Sequence, residues 1–222
     1  MKAWFRANRG FVLFLLGIGL LRTAVADWNP IPSGSMRPTL LEGDVVLVDR
    51  TAYDLKLPLT DVVLARRGEP QRGDVVTFLS PADGTRLIKR IVALPGDTLE
   101  MRAGRLLVNG EAARYQPTSQ GREPVAPGFD LPVQRATENL LGREHAVQFL
   151  GGIAARRDFG PVTVPAEHFF MLGDNRDNSA DSRVIGFVPR SALIGRAHHV
   201  LVSADIGGNW LPRWERWASR LN

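Results

Sequence analysis

A mainly β fold, antiparallel and either folded-sheet or barrel-like, with one helix at its N-terminus, is what this sequence predicts, on three observations. Short β-branched runs punctuated by Gly, Pro, Asp and Asn recur between Gly43 and Asp205. No stretch of helical periodicity lies between Pro30 and Ala113. One sustained apolar run, FVLFLLGIGLL over residues 11–21, stands behind Lys2, Arg6 and Arg9.

That N-terminal arrangement has the positive n-region and apolar h-region of a secretory signal. The run is about 11 residues where a bilayer span wants about 20. Extending it back to Trp4 brings in Arg6, Asn8 and Arg9, whose side chains reach toward headgroups, with Trp4 and Trp28 as interfacial aromatics. The excess of basic residues ahead of the run puts the N-terminus in the cytoplasm and everything after Arg22 on the far side. The expectation is a short anchor over residues 1–26; a cleaved signal, cut after Ala24 or Ala26, is the rival.

The strand series follows: residues 43–50 (GDVVLVDR), 73–80 (GDVVTFLS), 86–97 (RLIKRIVALPGD) and 105–110 (RLLVNG). Residues 161–174 and 191–205 continue it, so a β domain is expected over 27–205. Between about 111 and 160 the pattern loosens into Pro, Gly and Gln, which reads as an insertion carrying a short helix at 135–141. Residues 206–222 form a Trp- and Arg-rich tail, either an interfacial membrane contact or a helix packed on the body.

Composition narrows the chemistry. At 222 residues, 44% hydrophobic and 23% charged, the chain can bury one core. The net charge of +5 permits attraction to an anionic surface. Without a basic stripe interleaved with aromatics, nucleic acid is not expected as a partner. No cysteine is present, which excludes disulfides, thiolate metal sites and cysteine nucleophiles. His145, His168, His198 and His199 form no ligand motif, and the last two would point to opposite faces of a strand.

Three segments carry candidate chemistry. IPSGSMRPTL (31–40) sets two serines in a loop restrained by Pro32 and Pro38, with Gly34 allowing close backbone approach. In residues 86–97, Lys89 shares a strand face with Leu87 and Ile91; burial there lowers an amine's pKa and lets it act as a base. GDNRDNSADSRVIGFVP (173–189) is a polar cluster at the end of an apolar run, in which Asp181 and Arg183 could pair. Its oxygens lack the register and closing Glu of a calcium loop. A hydroxyl nucleophile, a buried amine and no histidine in a catalytic setting together describe a Ser–Lys dyad rather than a Ser–His–Asp triad.

PSGSMRPTL, RGDVVTF, IKRIVALPGD and GDNRDNSADSR, in this order, resemble bacterial type I signal peptidase. LRTAVADWNP is similar to the strand by which that family leaves the membrane. The resemblance implies Ser35 as nucleophile and Lys89 as general base. It implies an oxyanion hole from the Ser33 hydroxyl and the Ser35 N–H, and Ser179 bonded to the lysine amine. Asp181 and Arg183 match a supporting salt bridge, and Ile31, Met36, Leu40 and Ile88 match the lining of pockets that favour small residues at minus three and minus one. Neither metal nor cofactor is implied. The implied partners are preproteins and membrane lipid, the implied location the inner membrane with the catalytic domain on its periplasmic face, and the default state a monomer. Arg37, just after the nucleophile's neighbour, bears on substrate preference. A dedicated maturation protease and a non-catalytic membrane-anchored β module stay open beside the general enzyme. Self-cleaving Ser–Lys repressors would need a DNA-binding headpiece where this chain has its apolar run.

Overall fold

The computed structural model describes Trp4 and residues 7–60, 62–126 and 128–221; Lys2 and Arg6 of the basic stub lie outside the described residues. The apolar run folds as helix α1 (Arg9–Ala24), with none of its residues buried. Its 16 residues rise about 24 Å, short of a hydrocarbon core of roughly 30 Å. No helix among the described residues is long and apolar enough to cross a membrane. α1 passes directly into the first strand, and Arg22 closes the junction. Its Nε donates to Asp27 Oδ1 at 2.7 Å, and its guanidinium lies 4.6 Å from the Trp28 ring centre.

The strands follow in chain order: β1 (Ala26–Pro30), β2 (Asp44–Asp49), β3 (Asp54–Lys56), β4 (Val63–Arg66), β5 (Val75–Leu79) and β6 (Arg86–Ala93). Then come β7 (Thr98–Arg102), β8 (Arg105–Val108), β9 (Glu111–Ala112), β10 (Arg114–Ala126), β11 (Phe129–Leu140) and β12 (Arg143–Leu150). β13 (Phe159–Thr163), β14 (His168–Leu172), the one-turn helix α2 (Ser182–Ile185), β15 (Val188–Pro189), β16 (Leu193–Ser203) and β17 (Ser219–Arg220) complete the chain. The expected mainly β character holds. The largest sheet has eight strands, ordered β1-β2-β16-β5-β6-β14-β15, with β17 beside β16. It does not close into a barrel. Its last strand, β15, is two residues long and ends in Pro189, which has no N–H to extend a ladder.

Three apolar clusters flank this sheet. One lies beneath the serine loop: Ile31, Met36, Leu40, Val46, Val48, Val75, Ala197 and Val200, with Ile88 packed against it. A second gathers Val76, Phe78, Ile91 and Met171. The third joins β6 and β14 to β7 and β8 through Val92, Leu99, Leu106 and Phe170. Strand β6 contributes to all three, so the residues along it stand at the centre of the core.

The helix expected at 135–141 is not formed. RATENL belongs to β11, which pairs on one side with β10 and on the other with β12. Ala136, Glu138 and Leu140 are buried in alternation there. The local Ala, Glu and Leu content favours a helix, but a ladder on both edges outweighs that weak preference. The tail is packed on the body, yet as a single 3₁₀ turn (Trp214–Arg216) and β17 rather than an α-helix. Arg216 Nε donates to the buried Asp44 at 3.0 Å and Trp217 Nε1 to the Ser203 carbonyl at 3.1 Å, while Trp210 and Trp214 stay exposed. His198 and His199 do not face apart: the ladder slips a register between Ala197 and His199, and their Nδ1 atoms lie 2.7 Å from each other.

Candidate active site

Ser35 sits in a 3₁₀ turn (Gly34–Met36) that follows β1. The loop is closed at its base, where Ile31 N–H donates to the Asp44 carbonyl at 2.8 Å and Gly43 N–H to the Ile31 carbonyl at 3.0 Å. Met36 and Leu40, both 0% exposed, anchor it in the core. Asn175 clamps the turn from the other side. Its backbone N–H donates to the Ser35 carbonyl at 3.1 Å and its side-chain Nδ2 to the Gly34 carbonyl at 3.0 Å.

Lys89 comes from β6, opposite Val76 of β5. Only 2% of it is exposed. Its Nζ donates to Ser35 Oγ at 2.7 Å and to the Ile88 carbonyl at 2.9 Å. Burial is the main reason its pKa falls from 10.5 to about 8; the charges of Asp181 and Asp174 oppose the fall. Both of these acids are tied to arginines. Arg90 reaches Asp174 through Nε at 2.9 Å and Nη2 at 2.8 Å, and Arg183 reaches Asp181 through Nε and Nη2, both at 2.8 Å. Each guanidinium offsets a carboxylate that would otherwise hold the proton on Lys89.

Asp181 also accepts from Gly173 N–H at 3.0 Å and caps α2, so the Asp181–Arg183 pair expected from sequence is present and buried. Ser179 lies close to Gly173 and the Ser35 carbonyl. The bond to the lysine amine implied by the resemblance is not formed; the Ser179 hydroxyl is buried without a hydrogen-bond partner among the described residues. Ser33 is exposed, with extended backbone just before the turn. Ile31, Met36, Leu40 and Ile88 do gather in one cluster. Met36 and Leu40 are fully buried within it, so they support the site from beneath, whereas Ile88 is only partly buried.

Several residues escaped sequence reasoning. Asp174, with Arg90 and the Thr39 hydroxyl on its carboxylate, ties the serine loop, β6 and the 173–189 segment together. Beyond it, Arg176 Nη1 donates to Glu138 Oε1 at 2.6 Å, and His145 Nε2 lies 2.9 Å from Glu138 Oε2. Burial alone would raise the Glu138 pKa, but Arg176 and His145 hold it well below the usual carboxylate range. Asp174, Asn175 and Arg176 all belong to the polar segment that stood out in sequence; their partners lie far away along the chain and left no local sign. Among the described residues no group of three or more His, Asp or Glu side chains is placed to hold a metal ion.

A hydroxyl 2.7 Å from an amine that loses its proton near pH 8 has the parts for acyl transfer by nucleophile and base. Residues 2–202 match the family model described as signal peptidase, peptidase S26. The chain is 39% identical to the signal peptidase I of Pseudomonas aeruginosa, over 94% of this chain and 76% of that protein. It is 30% identical to the signal peptidase I of Aquifex aeolicus, over 87% of this chain and 82% of that protein. A crystal structure of a signal peptidase I from Enterococcus faecalis V583 aligns with 30% identity and a TM-score of 0.35, over 58% of this chain and 96% of that one. The chain belongs to the signal peptidase family, and it is a serine endopeptidase.

Proposed function

We propose that this endopeptidase removes signal peptides from exported preproteins through a Ser35–Lys89 dyad, cutting after small residues at minus three and minus one. The observation that carries the reading is the 2.7 Å approach of Lys89 Nζ to Ser35 Oγ by an amine whose pKa burial has brought down to about 8.

Neutral Lys89 takes the Ser35 proton as Oγ adds to the scissile carbonyl carbon. The Ser33 hydroxyl and the Ser35 N–H donate to the oxyanion, the kind of contact whose loss typically costs about 10²–10³ in rate. Collapse of the tetrahedral intermediate breaks the C–N bond, and the Lys89 ammonium protonates the departing amine. That leaves the signal peptide esterified to Ser35 and the mature chain free. Water, deprotonated by Lys89, then hydrolyses the ester. Ser179 takes its place as a positioning residue when its unpartnered hydroxyl turns to the amine, and the Asp181–Arg183 pair holds the segment that carries it. Ile88, with Ile31, Met36 and Leu40 packed beneath it, forms the apolar floor against which small side chains fit.

The enzyme works at the outer face of the inner membrane, with residues 1–26 as a single-pass anchor whose N-terminus is cytoplasmic, and 27–205 as the catalytic domain. The exposed apolar surface of α1 and the basic residues ahead of it support this placement, with flanking side chains reaching past a helix shorter than the bilayer. Lipid is then a partner alongside preprotein, and the monomer is the working unit.

The test is cleavage of a preprotein ending its signal in Ala-x-Ala, in lipid vesicles, with the product's new N-terminus sequenced. Wild type releases the mature chain at that bond, Ser35→Ala releases none, and a bulky residue at minus one abolishes the cut. A wild type that leaves the preprotein intact, or cuts regardless of the minus-one residue, contradicts the assignment.

A further inference from the structure

Strand β10 is exposed along nearly its whole length, and one residue in it is buried: Glu123, at 5% exposure. A lone buried carboxylate on an otherwise solvated ribbon must be paired. Its partners come from both sides. Arg37, two residues after Ser35, bonds Glu123 Oε1, and Arg135 of β11 bonds Glu123 Oε2. Arg37 is held in turn by Glu42, Nε to Oε2 at 2.7 Å, which balances two arginines against two glutamates.

This network sits against the nucleophile turn. A Cβ at Gly34 would lie 2.9 Å from Glu42 Oε1 and 3.1 Å from Arg37 Nε, so the glycine before Ser35 leaves the space that the ion pair occupies. The β10–β11 arm is thereby fastened beside Ser35. Beyond the fastening point the arm ends in an apolar tip. Glu123 pairs with Leu131 and Ala126 with Phe129; Phe129 is 57% exposed, and Val125 and Leu131 are partly buried.

Resting on the signal-peptide reading above, we propose that Arg37 and Glu123 are positioning residues that latch the β10–β11 arm to the nucleophile turn, making its apolar tip a wall of the preprotein cleft. Arg37, expected from sequence to bear on substrate preference, has its charge paired inside this latch with Glu42 and Glu123. The substrate meets Val125, Phe129 and Leu131 instead, and only a substrate long enough to reach the tip gains from them.

Kinetics on two substrates test this. One is a full preprotein; the other is a peptide carrying the Ala-x-Ala site and stopping two residues beyond it. Wild type, Glu123→Gln, Arg37→Gln, the double variant and Glu123→Asp are compared. Each single change raises KM for the preprotein about tenfold, as expected for a lost charge-assisted hydrogen bond. kcat stays within about twofold, and so does peptide turnover. The double variant is no worse than either single change, and Glu123→Asp restores most of the loss. An unchanged preprotein KM, or an equal loss on both substrates carried by kcat, overturns the latch as a substrate device while leaving the signal-peptide reading intact. A wild type that cuts neither substrate removes that reading, and the arm's substrate role falls with it.

Discussion

Lys89→Met lowers kcat/KM for preprotein cleavage by roughly 10³–10⁴-fold, near the upper end of what a positioned general base supplies. Methionine keeps the length and the apolar stem but has no basic atom, so the Ser35 hydroxyl loses the group 2.7 Å away that would take its proton. The fold does not suffer in parallel. At pH 7 the native state holds an amine whose pKa has been pushed from 10.5 down to about 8 by burial, a shift that disfavours the charged form inside the core. A neutral side chain of similar volume removes that penalty. Thermal unfolding of Lys89→Met at pH 7 is therefore at or above that of wild type, while activity collapses. Combining it with Ser35→Ala adds little further loss, as expected of a proposed nucleophile and base that work as one unit. A variant that cleaves at more than about a tenth of the wild-type rate would remove Lys89 from the chemistry.

Gly173→Ala is the second large effect, and it arises from space rather than charge. A Cβ at Gly173 would fall well inside contact distance of Ser179 Oγ and of the Ser35 carbonyl oxygen. The serine could move aside, but the carbonyl belongs to the backbone of the nucleophile turn and already accepts from Asn175 N–H at 3.1 Å. The turn shifts, and Ser35 Oγ leaves its place beside Lys89. A misplacement of about 1 Å at the reacting atoms can cost about 10²-fold, so Gly173→Ala retains about one per cent of wild-type kcat. Overpacking of this kind also destabilises by about 1–3 kcal/mol, read as a lower melting temperature. Full activity in this variant would mean that the Ser35 turn is not held against Gly173 in the working enzyme.

How far the sequence revealed these features depends on whether each has a local cause. Strands β2, β5, β6, β8 and β16 were legible because short apolar, mostly β-branched runs lie there between Gly, Pro, Asp and Asn turn signals. Ser35 and Lys89, which lie 2.7 Å apart, stood out in sequence as candidates because one lies in a proline-restrained loop and the other in an apolar run. Arg90 was not, although it adjoins Lys89: its role depends on Asp174, 84 positions away. Arg37 and Glu123 are 86 positions apart, and Glu138 and Arg176 are 38 apart. Ion pairs of that separation leave no periodicity to read. The β10–β11 ribbon was hidden for a related reason. Most of β10 is solvated on both faces, so no apolar alternation marks it as a strand. In β11 the inward position of Glu138 breaks the apolar pattern that Ala136 and Leu140 would otherwise show.

If Lys89 is the base at work, its own titration must govern the rate. With lysines labelled by ¹³C at the ε carbon, the Lys89 resonance, assigned by its absence in Lys89→Met, is followed from pH 6 to 11 beside kcat/KM for preprotein cleavage. The expected result is one midpoint in both, near 8, with the rate rising as the amine loses its proton and levelling above that pH, since kcat/KM reports the free enzyme's essential base. A Lys89 midpoint near the ordinary 10.5, in an enzyme already at full rate by pH 8, would contradict it.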